Sequence, residues 1–196
     1  MVRISTCLAS GLTITGVLSQ TSLDAQYVLD SIATLQGYAT RLGAESQALN
    51  TLSCPLYVIG QGPFTKVIPV VKELEGELLI AGPKINTFRP LNETIPADLV
   101  TAQDITRVIR PASLTLLRAF NIIAGVGKVN NACSLLPLVG EPVATAFGKL
   151  KVAMVNYYLA VLLYEVPQED GVGLLRELIE VQINTVIQSY GGVVSL

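Results

Sequence analysis

The sequence has no histidine, and charged residues make up only 14% of its 196 positions. Without an imidazole there is no Ser-His-Asp or Cys-His arrangement, and the commonest zinc ligand is missing. Catalysis by Asp, Glu, Lys or Tyr stays open. The carboxylates, however, are scattered at helical spacing and read as solvated faces, and no cluster points to a reaction, a metal or a cofactor. Lys and Arg number 13 against 15 Asp and Glu, with no basic block. Phosphate neutralisation needs clustered cations, so nucleic acid is not an expected partner, and a polybasic membrane patch is absent for the same reason. Long apolar runs are missing too. The longest clean piece, 157–164, has eight residues, against the roughly 20 that a membrane span needs, so no transmembrane segment is expected.

What is present is apolar text of 51% hydrophobic residues, enough for one domain with a sizeable core. Residues 1–19 combine Arg3 with a mildly apolar body and place Val17 and Ser19 at positions −3 and −1 before Gln20. That pattern reads as a secretory signal peptide; the competing reading is an N-terminal helix or strand that stays on the protein. Removing it takes away Cys7 and leaves Cys54 and Cys133, a pair suited to an oxidising compartment, where a loop-to-loop disulfide is expected. Asn92-Glu93-Thr94 is an N-glycosylation sequon in a proline-flanked loop. Together these features favour a secreted, extracellular or cell-wall protein.

From Ser22, a candidate N-cap, the apolar residues follow a helical period. Val28, Ile32, Leu35, Ala39 and Leu42 make one stripe, ended by Gly43 or Asn50. Residues 51–62 read as a long connection, and Pro63 suits a first-turn position. Phe64, Val67, Val71, Leu74 and Leu78 make a second stripe, running to about Ala81, with Pro69 kinking it or marking its start. Residues 82–96 read as loop. A third helix over 97–124 carries Ile105, Val108, Ala112, Leu116, Phe120 and Ile123, with a bend expected at Pro111, and a loop rich in Gly and Asn, 125–134, follows. A fourth covers 143–165 and stops at Pro167. A fifth, 171–190, presents Val172, Leu175, Ile179, Ile183, Val186 and Tyr190. The expected fold is all-α: a five-helix bundle with proline-kinked helices around an apolar core or tunnel, formed by one domain over 22–191.

The stretch KVAMVNYYLAVLLYEVP, 151–167, is apolar around most of its circumference. Too short for a span, it reads as a buried core helix or as the wall of a cavity. Prolines at 69 and 111 in flanking helices favour a bundle interior held partly apart.

In the order of these features the chain resembles the fungal hydrophobic surface-binding protein A family, the cell-wall galactomannoproteins. The carrying residues are Ile68-Pro69-Val70, Ile105-x-x-Val108-Ile109-x-Pro111, Leu150 with Leu162-x-x-x-Val166-Pro167, and a closing helix through Ile179, Ile183 and Tyr190. The resemblance implies a secreted, non-enzymatic helical domain that adsorbs to hydrophobic surfaces or encloses a long-chain fatty acid between helices. Three features depart from the family pattern: Gly125-Val126-Gly127-Lys128 replaces its Lys-rich text, no Ser/Thr-rich stalk follows Tyr190, and the composition is more apolar, with Cys54 and Cys133 as extra features.

The lining of such a pocket would come from Phe64, Val71, Leu116, Phe120, Phe147, Met154, Tyr158, Leu162, Ile179 and Ile183, each with ordinary core as the competing reading. Head-group candidates are Asn156, Tyr157 and Arg118. The leading expectation is a non-catalytic carrier of a fatty acid or similar apolar molecule. The alternatives are a surface-active protein that coats hydrophobic solids and assists secreted hydrolases, and a cyclase-type enzyme with an apolar pocket.

Overall fold

The computed structural model describes residues 23–50, 52–129, 137–165 and 171–192. The signal segment, the Ser22 cap, Cys133 and the Val166-Pro167 stop therefore lie outside the described residues. Every regular element among those described is an α-helix: α1 (Leu23–Gln47), α2 (Ser53–Val58), α3 (Phe64–Ile85), α4 (Pro96–Val129), α5 (Pro137–Tyr164) and α6 (Gly171–Ser189). The stripes of α1, α3 and α6 are buried as the periodicity requires, and in α4 Ile109 takes the inward place expected of Val108.

Several boundaries differ from expectation. The 51–62 connection contains α2, and Cys54 sits in that helix rather than in irregular chain; it is fully buried and disulfide-bonded. Pro63 is the N-cap of α3. The helices also run through prolines that were expected to end or precede them: α3 continues past Pro83 and α5 begins before Pro142. A proline inside a helix removes one N–H and frees the carbonyl four residues earlier. Here Pro69, Pro83 and Pro111 are exposed and Pro142 is half-buried, so each lies off the buried stripe of its helix.

The five long helices close on one another: α1 packs on α3 and α4, α4 on α6, α6 on α5, and α5 on α3. Side-chain pairs give their directions. Arg41–Glu73 and Glu45–Lys66 make α1 and α3 antiparallel. Phe120–Phe147 and Ser113–Tyr158 do the same for α4 and α5. Thr106 lies beside Gly171, and Gly127 beside Ser189 and Tyr190, so α4 and α6 run parallel. A Cβ on Gly127 would fall 2.8 Å from Ser189 Cβ and from the Tyr190 ring. This glycine, expected in a loop, instead lets α4 pack closely on the end of α6.

The interior is filled by aromatic rings in layers along α5. At one end Tyr57, Phe64 and Tyr190 meet edge to face; next come Phe120 with Phe147, then Tyr157 with Tyr158, and finally Tyr27, Phe88 and Tyr164. Such pairs are worth about 0.5–1.5 kcal/mol each beyond their burial. The buried hydroxyls are satisfied: Tyr157 Oη lies 2.9 Å from Ser31 Oγ, Tyr158 Oη 2.6 Å from Ser113 Oγ, and Tyr190 donates to the Ile123 carbonyl at 3.0 Å.

By length and composition alone, α4 and α5 are each long and apolar enough to cross a membrane, with mean hydropathy 1.3 over the best window. The length argument against a span therefore does not hold for the helices as formed. About half of each window, 44% and 50%, is buried by protein. The outer face of α4 also carries exposed Arg107, Arg110 and Arg118, and that of α5 carries Lys149 and Asn156.

Candidate functional site

The apolar residues expected to line a tunnel do come together, as core. Phe64, Val71, Leu116, Phe120, Phe147, Met154, Tyr158 and Ile183 are 0% exposed and Ile179 is 1%. Water reaches none of the first eight, from outside or from an internal void, so their surfaces meet protein. Leu162 packs half-buried against the same cluster. A guest among these side chains would have to displace them.

The head-group candidates do not converge. Asn156 and Arg118 are exposed on α5 and α4, while Tyr157 points inward to Ser31. Burial raises the hydroxyl pKa of Tyr157 and Tyr158, against the smaller opposing pull of the serine hydrogen bonds. Both therefore stay neutral hydrogen-bonding groups. Asn92 lies in the connection before α4, where its Oδ1 accepts the Thr94 N–H at 3.0 Å and the Thr94 hydroxyl at 2.8 Å. Among the described residues no group of three or more His, Cys, Asp or Glu comes together.

Open space lies instead between helices at the surface. A pocket between α1 and α3, beside Tyr27, Asp30, Tyr38 and Glu77, holds about 160 Å³. A groove between α3 and α5 holds about 640 Å³ and has mixed charge from Lys72, Glu75, Glu141 and Lys149. A third groove, between α4 and α6, holds about 1080 Å³. Ligand sites for drug-sized molecules run to roughly 300–1,000 Å³, so the first pocket is small for a long-chain guest and the third is ample.

The α4/α6 groove is graded along its length. Gln103, Thr106, Arg107, Arg110 and Leu114 line one wall, a single row at helical spacing spanning about 17 Å at 1.5 Å per residue. Leu174, Leu175 and Leu178 line the other. Leu114, Leu174 and Leu178 are 42%, 55% and 45% exposed, a continuous apolar strip open to water. Glu165 closes the polar end, 7% exposed, with its carboxyl bonded to the Thr106 hydroxyl. Burial raises its pKa, and the Thr106 bond lowers it by less. Arg107 is paired with Asp104 at 2.9 Å, whereas Arg110 has no ion pair or hydrogen bond among the described residues.

Sequence reasoning missed this groove. Its signal was a second apolar row on the last helix, Leu174 and Leu178, beside the inward row of Val172, Leu175 and Ile179, together with Arg107 and Arg110 three apart on α4. What the sequence lacks is the adjacency of residues as far apart in the chain as Thr106 and Gly171.

No family model, no curated protein and no solved structure matches the chain. The likeness to the hydrophobic surface-binding protein family thus rests on the sequence features that suggested it.

Proposed function

We propose that this protein is a secreted, non-catalytic binder of apolar amphiphiles, a long-chain fatty acid or similar molecule, held between α4 and α6. The carrying observation is the α4/α6 groove, which joins an exposed leucine strip to unpaired Arg110. Covering that strip with an alkyl chain is favourable by about 25 cal/mol per Å² removed from water. The five long helices then serve as a rigid support, one domain over 22–191, and residues 1–19 as the export signal. Native mass spectrometry of the folded chain with palmitate tests this. A one-to-one complex lost in Leu178→Glu supports it; no complex, or one indifferent to Leu178→Glu, overturns it.

A second reading, adsorption to hydrophobic solids, is favoured by one feature. Val152, Leu159 and Leu163 are 58%, 38% and 60% exposed along α5, with exposed Asn156 as the polar residue in that row. Retention on polyester beads that falls in Val152→Lys with Leu163→Lys supports this reading, and unchanged retention removes it.

A further inference from the structure

The polar end of the α4/α6 groove holds charges of both signs at a place where one of them can be switched. Thr106 and Arg110 are four residues apart and share a face of α4, and Glu165 reaches the same face through its bond to Thr106. When Glu165 is neutral its proton can bond to Thr106 Oγ1, while the Thr106 hydroxyl donates to the Ala102 carbonyl at 3.2 Å. The groups lining the groove around Glu165 are few. From α4 they are Arg107, paired with Asp104, and Arg110; from α6 they are Gly171, Leu174 and Leu175, none ionisable. The connection before α4, whose Leu91 N–H bonds the Tyr164 carbonyl, carries Arg89 and Glu93. Glu169 and Asp170 lie outside the described residues.

We infer that the groove prefers anionic amphiphiles to neutral ones and loosens its hold on them when Glu165 becomes charged. With a neutral Glu165, Arg110 offers an uncompensated cation where a head group would sit. An ionised Glu165 sets a like charge beside that head group and competes for the arginine. Burial of the carboxyl, which favours its neutral form, moves the transition above the ordinary glutamate range. The protein would then capture such molecules in acidic surroundings and release them as the pH rises.

This inference rests on the binding reading above, and its test separates the two. The full chain is titrated calorimetrically with decanesulfonate, an anion whose charge does not change between about pH 4 and 8, and with decan-1-ol as the neutral counterpart. The expected result is sulfonate affinity falling about fivefold as pH rises, the order of one extra like charge in a half-solvated site, with decanol unaffected. Glu165→Gln should hold the acid-side affinity throughout. Arg110→Gln should abolish the preference for sulfonate while keeping decanol binding, and circular dichroism verifies that both variants are folded. Sulfonate affinity independent of pH in the wild type, or the same fall in Glu165→Gln, would overturn the inference while leaving the groove as the site. Failure of both ligands to bind at any pH would overturn the inference and the binding reading together.

Discussion

The bundle interior and the α4/α6 groove are both apolar, yet they do opposite things with that character. In the interior, Phe120, Phe147, Met154 and Tyr158 are 0% exposed, and the rings meet edge to face, Phe120 with Phe147 and Tyr158 with Tyr157. A guest there would have to open a close-packed core. In the groove, Leu114, Leu174 and Leu178 are about half exposed, and a guest displaces only water. The lesson is that the inward rows of α5, the most apolar helix, go into holding the fold, while the leucines on the rim of α4 and α6 remain open to water. Apolar text marks where burial occurs, and its partners decide whether anything is left to bind.

Substitutions should separate the two regions, with the largest effect in the interior. Phe120→Ala removes one ring of the Phe120–Phe147 pair and is expected to lower the unfolding free energy by about 3–5 kcal/mol. Urea denaturation measures this, and amphiphile affinity of the fraction still folded should be unchanged. Gly127→Ala places a methyl 2.8 Å from Ser189 Cβ and the Tyr190 ring, an overpacking worth about 1–3 kcal/mol. Gly125→Ala, with nothing within 4 Å, is the matched control and should be neutral or slightly stabilising through helix propensity.

Of similar size is the hydroxyl contact between α4 and α5. Ser113→Ala leaves the Tyr158 hydroxyl buried without its partner, for a loss of about 1–3 kcal/mol. Tyr158→Phe should lose less, because Ser113 keeps its bond to the Ile109 carbonyl at 2.8 Å. Thermal melts of the two single variants and the double variant give the coupling.

The pH dependence of stability sharpens the comparison at the groove. A carboxyl whose pKa is raised by folding stabilises the native state below its unfolded value, and that contribution disappears as pH rises through the folded value. The unfolding free energy should therefore decline from the ordinary glutamate range upward, and the Glu165 share of that decline should vanish in Glu165→Gln. The smallest stability effect belongs to Leu178→Ala, within about 0.5 kcal/mol, although the same change should weaken amphiphile binding measurably.

Much of the fold was legible because burial and period coincide. The stripes Val28 to Leu42, Phe64 to Leu78 and Val172 to Tyr190 each face the core, and the last helix begins at Gly171 as read. What misled was local punctuation. Pro83 and Pro142 look like stops, but each lies off the buried stripe of a helix held by its buried neighbours. Gly127 looks like loop chemistry, and its small size serves close helix packing instead. Cys54 reads as irregular chain because Pro55, Gly60 and Gly62 punctuate the text around it, yet α2 holds both Cys54 and Pro55. Nine of the ten residues named as lining are buried in the core, and Leu162 is half-buried against it. Whether space was left between them depended on ring-on-ring contacts between Phe64 and Tyr190, or Phe120 and Phe147, which no single helix reveals.

Methionine supplies the most direct test, because the chain has two, Met1 and Met154, and Met154 is wholly buried in the interior. Methyl NMR of protein labelled at methionine and leucine, titrated with decanesulfonate at acidic pH, reports on both regions at once. The account predicts that the Leu114, Leu174 and Leu178 methyl signals move in a saturable way while Met154 stays in place. A saturable shift of Met154 with the groove leucines unmoved would contradict it and put the guest among the core rings.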